Sequence, residues 1–329
     1  MLKIGGLVLD FPFFQAPLSG YSDYAMRRLA LDFGAPLVFA GVVLAKSAAH
    51  PKVIRKASFR PREDEHPVGA QILGREPEVM AKAAKALVGV GYDVIDVNFA
   101  CPAPKVLRRQ RGGAMLKEPE LVIEIVRRVR EAVKCPLLIK LRMGVDDSEG
   151  SRDNFWEIAE RAAEEGVDAI VVHGRTVEKR YHGTADWDVL AEVKRRLPHK
   201  VVIGSGDIFK ADDVVRMLET TKVDGVVIAR GAIGNPWIFR DARAYFEGKP
   251  APAAPTLIEQ AQVILKHIAL VSELYRKAKT VRYLRKFLVN YCKHHPERRK
   301  AQKNLVAAET KAELLAAVAE WYGLEPVRS

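Results

Sequence analysis

Eight short apolar runs, each separated from the next by a longer connecting stretch, leave this chain few folds to adopt. The runs are Phe11–Ala16, Leu37–Val43, Pro67–Ile72, Asp93–Asn98, Pro136–Leu141, Asp168–His173, Lys200–Gly204 and Asp224–Ala229. Between them lie amphipathic patterns such as Pro77–Val90, Glu118–Val133, Asp153–Glu165 and Ala211–Glu219, with Pro77, Pro119 and Asp212 at expected helix starts. Strands that alternate with helices form parallel sheets, and eight such units predict a (β/α)8 TIM barrel. An open doubly wound sheet is the competing arrangement, but no GxGxxG follows the first run.

The alternation stops at Gly248-Lys249-Pro250-Ala251-Pro252-Ala253-Ala254-Pro255, a stiff aperiodic linker. Beyond it only helical stripes remain: Leu257, Ala261, Ile264, Leu265, Ile268 and Val271, then Val281, Leu284, Phe287, Leu288 and Tyr291. A barrel domain over residues 1–250 and a small all-α helical domain over 251–329 are therefore expected. Charges interrupt every apolar stretch before membrane-span length, and the N-terminus lacks a signal-peptide layout. Three cysteines without CxxC spacing argue against a disulfide framework and a zinc site, so no metal is expected. A reducing cytoplasm is the expected location.

One of those cysteines stands out. In Asp96-Val97-Asn98-Phe99-Ala100-Cys101-Pro102-Ala103-Pro104-Lys105, a β-branched strand ends at Asn98, and Cys101 follows on a loop stiffened by two prolines. Alone, such a thiol is as readily a packed core residue as a reactive one. The other strand ends shift that balance: Gln15-Ala16-Pro17, Gln71, Lys140 with Arg142, His173 with Arg175, Ser205-Gly206-Asp207 and Ala229-Arg230-Gly231. A barrel brings these ends to one mouth. Each polar residue taken singly can be a satisfied cap or core group, but seven such ends together point to a site.

The glycines after the seventh and eighth runs let backbone N–H groups approach an anion. Asn235-Pro236 reads as a cap and first helical residue, a second source of free N–H groups. Loops in these positions are where this barrel binds phosphate, so a phosphorylated cofactor is expected, with Arg230 adding a charge-assisted contact. A flavin phosphate held there leaves its ring across the mouth. Lys140 and His173 would then stabilise the negative charge of the reduced ring, and Gln71 would meet its pyrimidine edge.

The net charge is +12, and its distribution is uneven. Between Arg276 and Lys303 lie eleven cations and one acid, Glu297. A second cluster, Lys105, Arg108, Arg109 and Arg111, follows Cys101. Two such clusters suit a polyanion, although a merely solvated helix face is the simpler alternative for the first.

At this point the chain resembles the tRNA-dihydrouridine synthase family, its bacterial B-type subgroup most. The residues carrying the resemblance are Ala16-Pro17-Leu18, Gln71, Asn98-x-x-Cys101-Pro102, Lys105, Lys140-Leu141-Arg142, His173-Gly174-Arg175-Thr176, Gly206-Asp207-Ile208, Ala229-Arg230-Gly231-Ala232, Pro236-Trp237-Ile238-Phe239 and Arg282-x-x-Arg285-Lys286. The resemblance implies an FMN-binding barrel and a tRNA-binding helical domain. It implies reduction of the C5–C6 bond of a D-loop uridine, with NADPH as reductant. Hydride would pass from flavin N5 to C6, and Cys101 would protonate C5 as general acid. Ala16, Pro17, Leu18, Gln71, Lys140, His173, Ser205, Gly206, Asp207, Ala229 and Arg230 would hold the cofactor. Asn98 and Arg142 would hold the uracil carbonyls, with Arg175, Lys105, Arg282, Arg285 and Lys286 also on the substrate side. The target base must leave the tRNA stack. Three positions depart from the family pattern: Ser205 for a usual Asn, Ala40-Gly41 where a Glu is common, and Leu18 for a usual Met.

Two rival readings remain. An FMN-dependent dehydrogenase of a free pyrimidine such as dihydroorotate shares the barrel and the mouth chemistry but has no use for the basic C-terminal stretch. A non-catalytic tRNA-binding relative has no use for Cys101, Lys140 and His173.

Overall fold

The computed structural model describes residues 1–56, 59–275 and 277–323. Arg276 of the basic stretch, and residues 324–329 of the expected helical domain, lie outside them. Eight parallel strands follow one another around a barrel: β1 (Phe13–Gln15), β2 (Val38–Phe39), β3 (Val68–Leu73), β4 (Val94–Asn98), β5 (Leu137–Arg142), β6 (Ala169–His173), β7 (Val201–Ser205) and β8 (Gly225–Ile228). β8 pairs with β1. The Gln15 N–H bonds the Leu37 carbonyl at 3.1 Å, which joins β1 to the β2 segment and nearly closes the ring. β2 is shorter than the apolar run Leu37–Val43, and a separate piece, Val43–Leu44, pairs further along β3.

Alternation within the strands builds two cores. Phe14, Phe39, Val94, Leu138, Ala169, Val171, Ile203 and Val227 pack together inside the barrel. The N-terminal hairpin Leu2–Ile4/Leu7–Leu9 adds Leu2, Ile4 and Leu9 to them, plugging the end away from the loops that follow the strands. Residues between these, such as Val97, Ile139 and Val172, face outward into the layer shared with the helices. Gly69 is needed here: a Cβ would lie 2.2 Å from the Phe39 ring, which takes its inner space.

Helices occur where periodicity places them, among them Pro77–Gly89, Pro119–Ala132 and Ala211–Thr221. The helix expected from Asp153 starts earlier, at Glu149, because the Ser148 hydroxyl accepts from the Ser151 N–H at 3.3 Å and caps it.

After an irregular segment, helices Leu257–Leu274, Lys277–Tyr291, Arg298–Ala307 and Lys311–Tyr322 complete the described chain. Thr256 and Glu259 form a capping box at the first. These helices pack on the barrel beside the loop after β1. Tyr275 Oη donates to Asp23 Oδ2 at 3.2 Å, Tyr283 Oη donates to the Tyr21 carbonyl at 3.2 Å, and Lys286 Nζ donates to the Gly20 carbonyl. Gly234, at φ +62°, approaches so closely that a Cβ would lie 2.7 Å from the Phe287 carbonyl. Among the described residues no helix is long and apolar enough to cross a membrane.

Candidate active site

Inward positions at the carboxyl ends of the strands converge on one cleft, open to solvent. The register sets Asn98 beside Lys140, Arg142 beside His173, and His173 beside Ser205. The lining includes Ala16, Pro17, Leu18, Gln71, Asn98, Cys101, Lys140, Arg142, His173, Ser205, Gly206, Asp207, Ala229 and Arg230. Residues from seven different strand ends thus share one space, as expected of a barrel mouth.

Cys101 is half-buried at the edge of this cleft, and its loop is tied from several directions. Asn98 Oδ1 accepts the Cys101 N–H at 2.9 Å and the Ala100 N–H at 3.0 Å. Arg142 Nε donates to the Ala100 carbonyl at 2.9 Å, and the Gly113 N–H donates to the Cys101 carbonyl at 3.1 Å. Gly112 sits at φ +57°, where a Cβ would come within 2.9 Å of Cys101 Cβ. Only glycine meets both conditions without strain.

The electrostatics below the mouth are strongly positive. Burial pulls the Lys140 ammonium down to about 8, with the Asp96 carboxylate opposing the fall. Lys140 Nζ donates to Ser205 Oγ at 3.2 Å. Serine at 205 therefore reaches a partner that belongs to the cleft. Burial, and then the charges of Arg142, Lys140, Arg175 and Arg230, hold His173 far below its ordinary range, so it is neutral. Its Nδ1 is buried and has no hydrogen-bond partner among the described residues. Asp207 accepts from Arg175 Nη2 at 2.6 Å and Arg230 Nη2 at 3.1 Å. Two guanidiniums thus bracket the carboxylate where the seventh and eighth loops meet.

Several expected contacts are used differently. Arg175 is buried outside the cleft lining, binding the His182 and Gly183 carbonyls at 3.1 and 2.6 Å. Lys105 is exposed on the short helix Pro104–Leu107. Asn235 does not cap the following helix, which starts at Trp237; its Nδ2 donates to the Gly231 carbonyl at 3.1 Å. That helix start faces the C-terminal helices, with Trp237 against Tyr291 and His294. Sequence periodicity places a cap but not the side of the barrel it faces. Arg282 is exposed, whereas Arg285 Nη2 binds the Ala308 carbonyl at 3.0 Å and Lys286 lies 3.4 Å from the Tyr283 ring centroid. Gly41 leaves room: a Cβ would make only ordinary contact with the Leu18 carbonyl, at 3.4 Å.

Sequence reasoning missed the aromatic rim. Tyr181 and Phe209 line the cleft yet are 55% and 47% exposed, with the Arg230 guanidinium 4.6 and 5.2 Å from their ring centroids. Large aromatics in the loops after His173 and Asp207 were the available signal.

The residues present fit a flavin mononucleotide. An apolar strip of Ala16, Pro17, Leu18, Val227 and Ala229 can receive a flat ring, and Lys140 and Arg230 supply positive charge. The buried, unpartnered Nδ1 of His173 provides a polar atom that a ligand can satisfy.

An eight-stranded barrel with such a cation-ringed mouth defines a cofactor-dependent enzyme. Solved structures agree on the fold. A 2-naphthoyl-CoA reductase complex superposes with TM-score 0.61 at 13% identity, over 76% of this chain and 52% of that one. Histamine dehydrogenase from Rhizobium sp. 4-9 gives TM-score 0.61 at 16% identity, over 82% and 50%. This chain spans about half the length of those neighbours. A family model described as dihydrouridine synthase matches residues 14–322. A probable tRNA-dihydrouridine synthase of Mycobacterium tuberculosis is 35% identical over 95% of this chain and 82% of its own. The tRNA-dihydrouridine synthase B of Shewanella oneidensis is 34% identical over 100% of both chains, and that of Pasteurella multocida 34% over 88% and 86%. The chain belongs to the dihydrouridine synthase family.

Proposed function

We propose that the protein is a flavin-dependent tRNA-dihydrouridine synthase whose barrel, residues 1–250, reduces a D-loop uridine while residues 251–329 grip the tRNA near its elbow. The carrying observation is the placement of Cys101 on the same cleft as Lys140, His173 and Arg230. When bound in this cleft, FMN reduced by NADPH would supply the hydride for C6 of the uracil.

This chain's own groups do the rest. Cys101 donates the proton to C5, and its loop is held rigid enough to aim the thiol. Lys140 places an ammonium where negative charge develops, and neutral His173 offers an adjacent ring nitrogen. Arg230, steadied by Asp207, would hold the cofactor phosphate together with the backbone of Ser205, Gly206 and Ala229. Ala16, Pro17 and Leu18 would pack against the ring, and Gln71 would hydrogen-bond its edge. Arg142 uses Nε and Nη1 on loop carbonyls, leaving Nη2 for a uracil carbonyl. Asn98, committed to the Cys101 loop and to Gln71, retains one Nδ2 hydrogen for the other. Lys105 and Arg282 face the RNA backbone, and Arg175, Arg285 and Lys286 shape the surfaces that meet it.

The free-pyrimidine alternative leaves the basic helices without a role. Purified protein incubated with NADPH and unmodified tRNA is expected to form dihydrouridine, detected by mass spectrometry of digested nucleosides and mapped to the D-loop. Reduction of free uracil or oxidation of dihydroorotate, with none on tRNA, would contradict the reading.

A further inference from the structure

Asp96 is the one carboxylate beneath the cleft that no step above employs. It lies on β4, two residues before Asn98, so both side chains point into the barrel. It is 2% exposed. Its Oδ2 accepts from Gln71 Nε2 at 2.7 Å. Gln71 Oε1 in turn accepts from Asn98 Nδ2 at 2.6 Å, and Asn98 Oδ1 accepts the main-chain N–H groups of Ala100 and Cys101. Three side chains thus link the barrel interior to the backbone of the thiol's loop.

Burial pushes the Asp96 carboxyl up to about 6, so above that pH the two ends of this chain are chemically fixed. An ionised carboxylate only accepts hydrogen bonds, and a peptide N–H only donates them. Two carboxamides between such ends have one consistent orientation: each presents its NH2 toward Asp96 and its carbonyl toward Cys101. Reversing either amide sets donor against donor or acceptor against acceptor in a buried place, which is costly. The arrangement is therefore an aligned relay of orientation, and a group without an acceptor at position 96 would release Gln71 first.

We propose that Asp96 is a positioning residue for Cys101, its carboxylate fixing the direction of the Gln71 and Asn98 amides and through them the loop that carries the thiol. This rests on Cys101 as the proton donor. Asp96 does not line the cleft; it acts through Gln71 and Asn98.

The test uses the flavin-loaded full chain. Hydrogen–deuterium exchange at the Ala100 and Cys101 amides is read by mass spectrometry in wild type, Asp96→Ala and Asp96→Asn. Loss of the relay is expected to speed exchange there about tenfold or more in Asp96→Ala. Asn can still accept from Gln71, so Asp96→Asn is expected to stay within about twofold of wild type. For tRNA reduction, Asp96→Ala is expected to lower kcat about tenfold with KM for tRNA unchanged. In a Cys101→Ala background it is expected to add no further loss, since both changes act on one group. Should Asp96→Ala fail to fold, Gln71→Met removes the middle amide and carries the same exchange expectation.

Unchanged exchange at Ala100 and Cys101 in a folded Asp96→Ala or Gln71→Met variant would overturn the proposal. So would an Asp96→Asn as damaging as Asp96→Ala with a shifted flavin potential, which would assign Asp96 to Lys140 instead. If Cys101→Ala alone left tRNA reduction intact, the proton-donor reading would fail, while exchange would still report whether Asp96 holds the loop.

Discussion

Lys140 shows how much a single side chain's role depends on its surroundings. Its ammonium is pulled down to about 8 by burial, against the pull of Asp96. A depressed lysine is charged below that value and loses its proton above it. The charge it would offer a reduced flavin is therefore present at neutral pH and fades as pH rises through about 8. Flavin reduction at saturating NADPH is expected to be highest near pH 7 and to fall as pH rises through about 8 in stopped-flow measurements. In Lys140→Arg the guanidinium stays charged, and the alkaline fall should disappear even if the rate is lower throughout. The residue identities at the mouth were largely legible in sequence, because strand ends of a barrel converge whatever the loops do. Their hydrogen-bond partners were not. Lys140 was readable as an inward cation, but its bond to Ser205 comes from strands separated by the intervening β6. Asp96 stood in the central motif without a role, since nothing in its spacing shows that Gln71, on the neighbouring strand, meets it.

At the scale of elements, the loop after β4 is held by another loop that local pattern says little about. Gly112 and Gly113 belong to a 3-10 turn, Gly112–Lys117, that packs on Cys101. Gly112→Ala places a Cβ at a left-handed φ and within 2.9 Å of Cys101 Cβ. It is expected to cost about 1–3 kcal/mol of stability. It should also slow tRNA reduction more than flavin reduction, because the displaced group is the thiol and not the cofactor cradle. Thermal unfolding and separate half-reaction rates check both parts. Alternation of apolar runs with helical patterns was enough to read the barrel from sequence. β2 was over-extended because Ala40 and Gly41 continue an apolar run without continuing the ladder. The helix at Trp237 starts against the C-terminal helices and not at the cleft, since capping residues carry no information about which neighbour a helix start will face.

Across the whole molecule, the net charge is +12, and its densest cationic stretch is C-terminal, with eleven cations and one acid between Arg276 and Lys303. Lys279, Arg282, Lys293, Arg298, Arg299 and Lys303 are exposed, with no acidic partner among the described residues. Arg285 and Lys286 are drawn into packing, Lys286 onto the loop after β1 whose Pro17 and Leu18 line the cleft. The basic helices therefore touch the mouth through protein contacts as well as facing outward. Replacing Arg282, Arg298 and Arg299 together with Gln is expected to weaken tRNA binding. The slope of log affinity against log salt should flatten by about 2 to 3, roughly one unit or less per lost phosphate contact. Flavin content should be unchanged. A Lys286 substitution would not isolate the RNA contact, since it also frees the Gly20 carbonyl. Sequence gave the count of cations and their helical periodicity; only packing separates those that face solvent from those that brace the barrel.

Cys101 is proposed as the proton donor on a flavin cleft built by the strand ends. The direct measurement is a single turnover of pre-reduced Cys101→Ala with unmodified tRNA, following flavin reoxidation and dihydrouridine together. Flavin content and reduction by NADPH are expected to match wild type, while tRNA-dependent reoxidation slows by about a hundredfold or more. Unchanged reoxidation with dihydrouridine formed, or loss of the flavin itself, would contradict it.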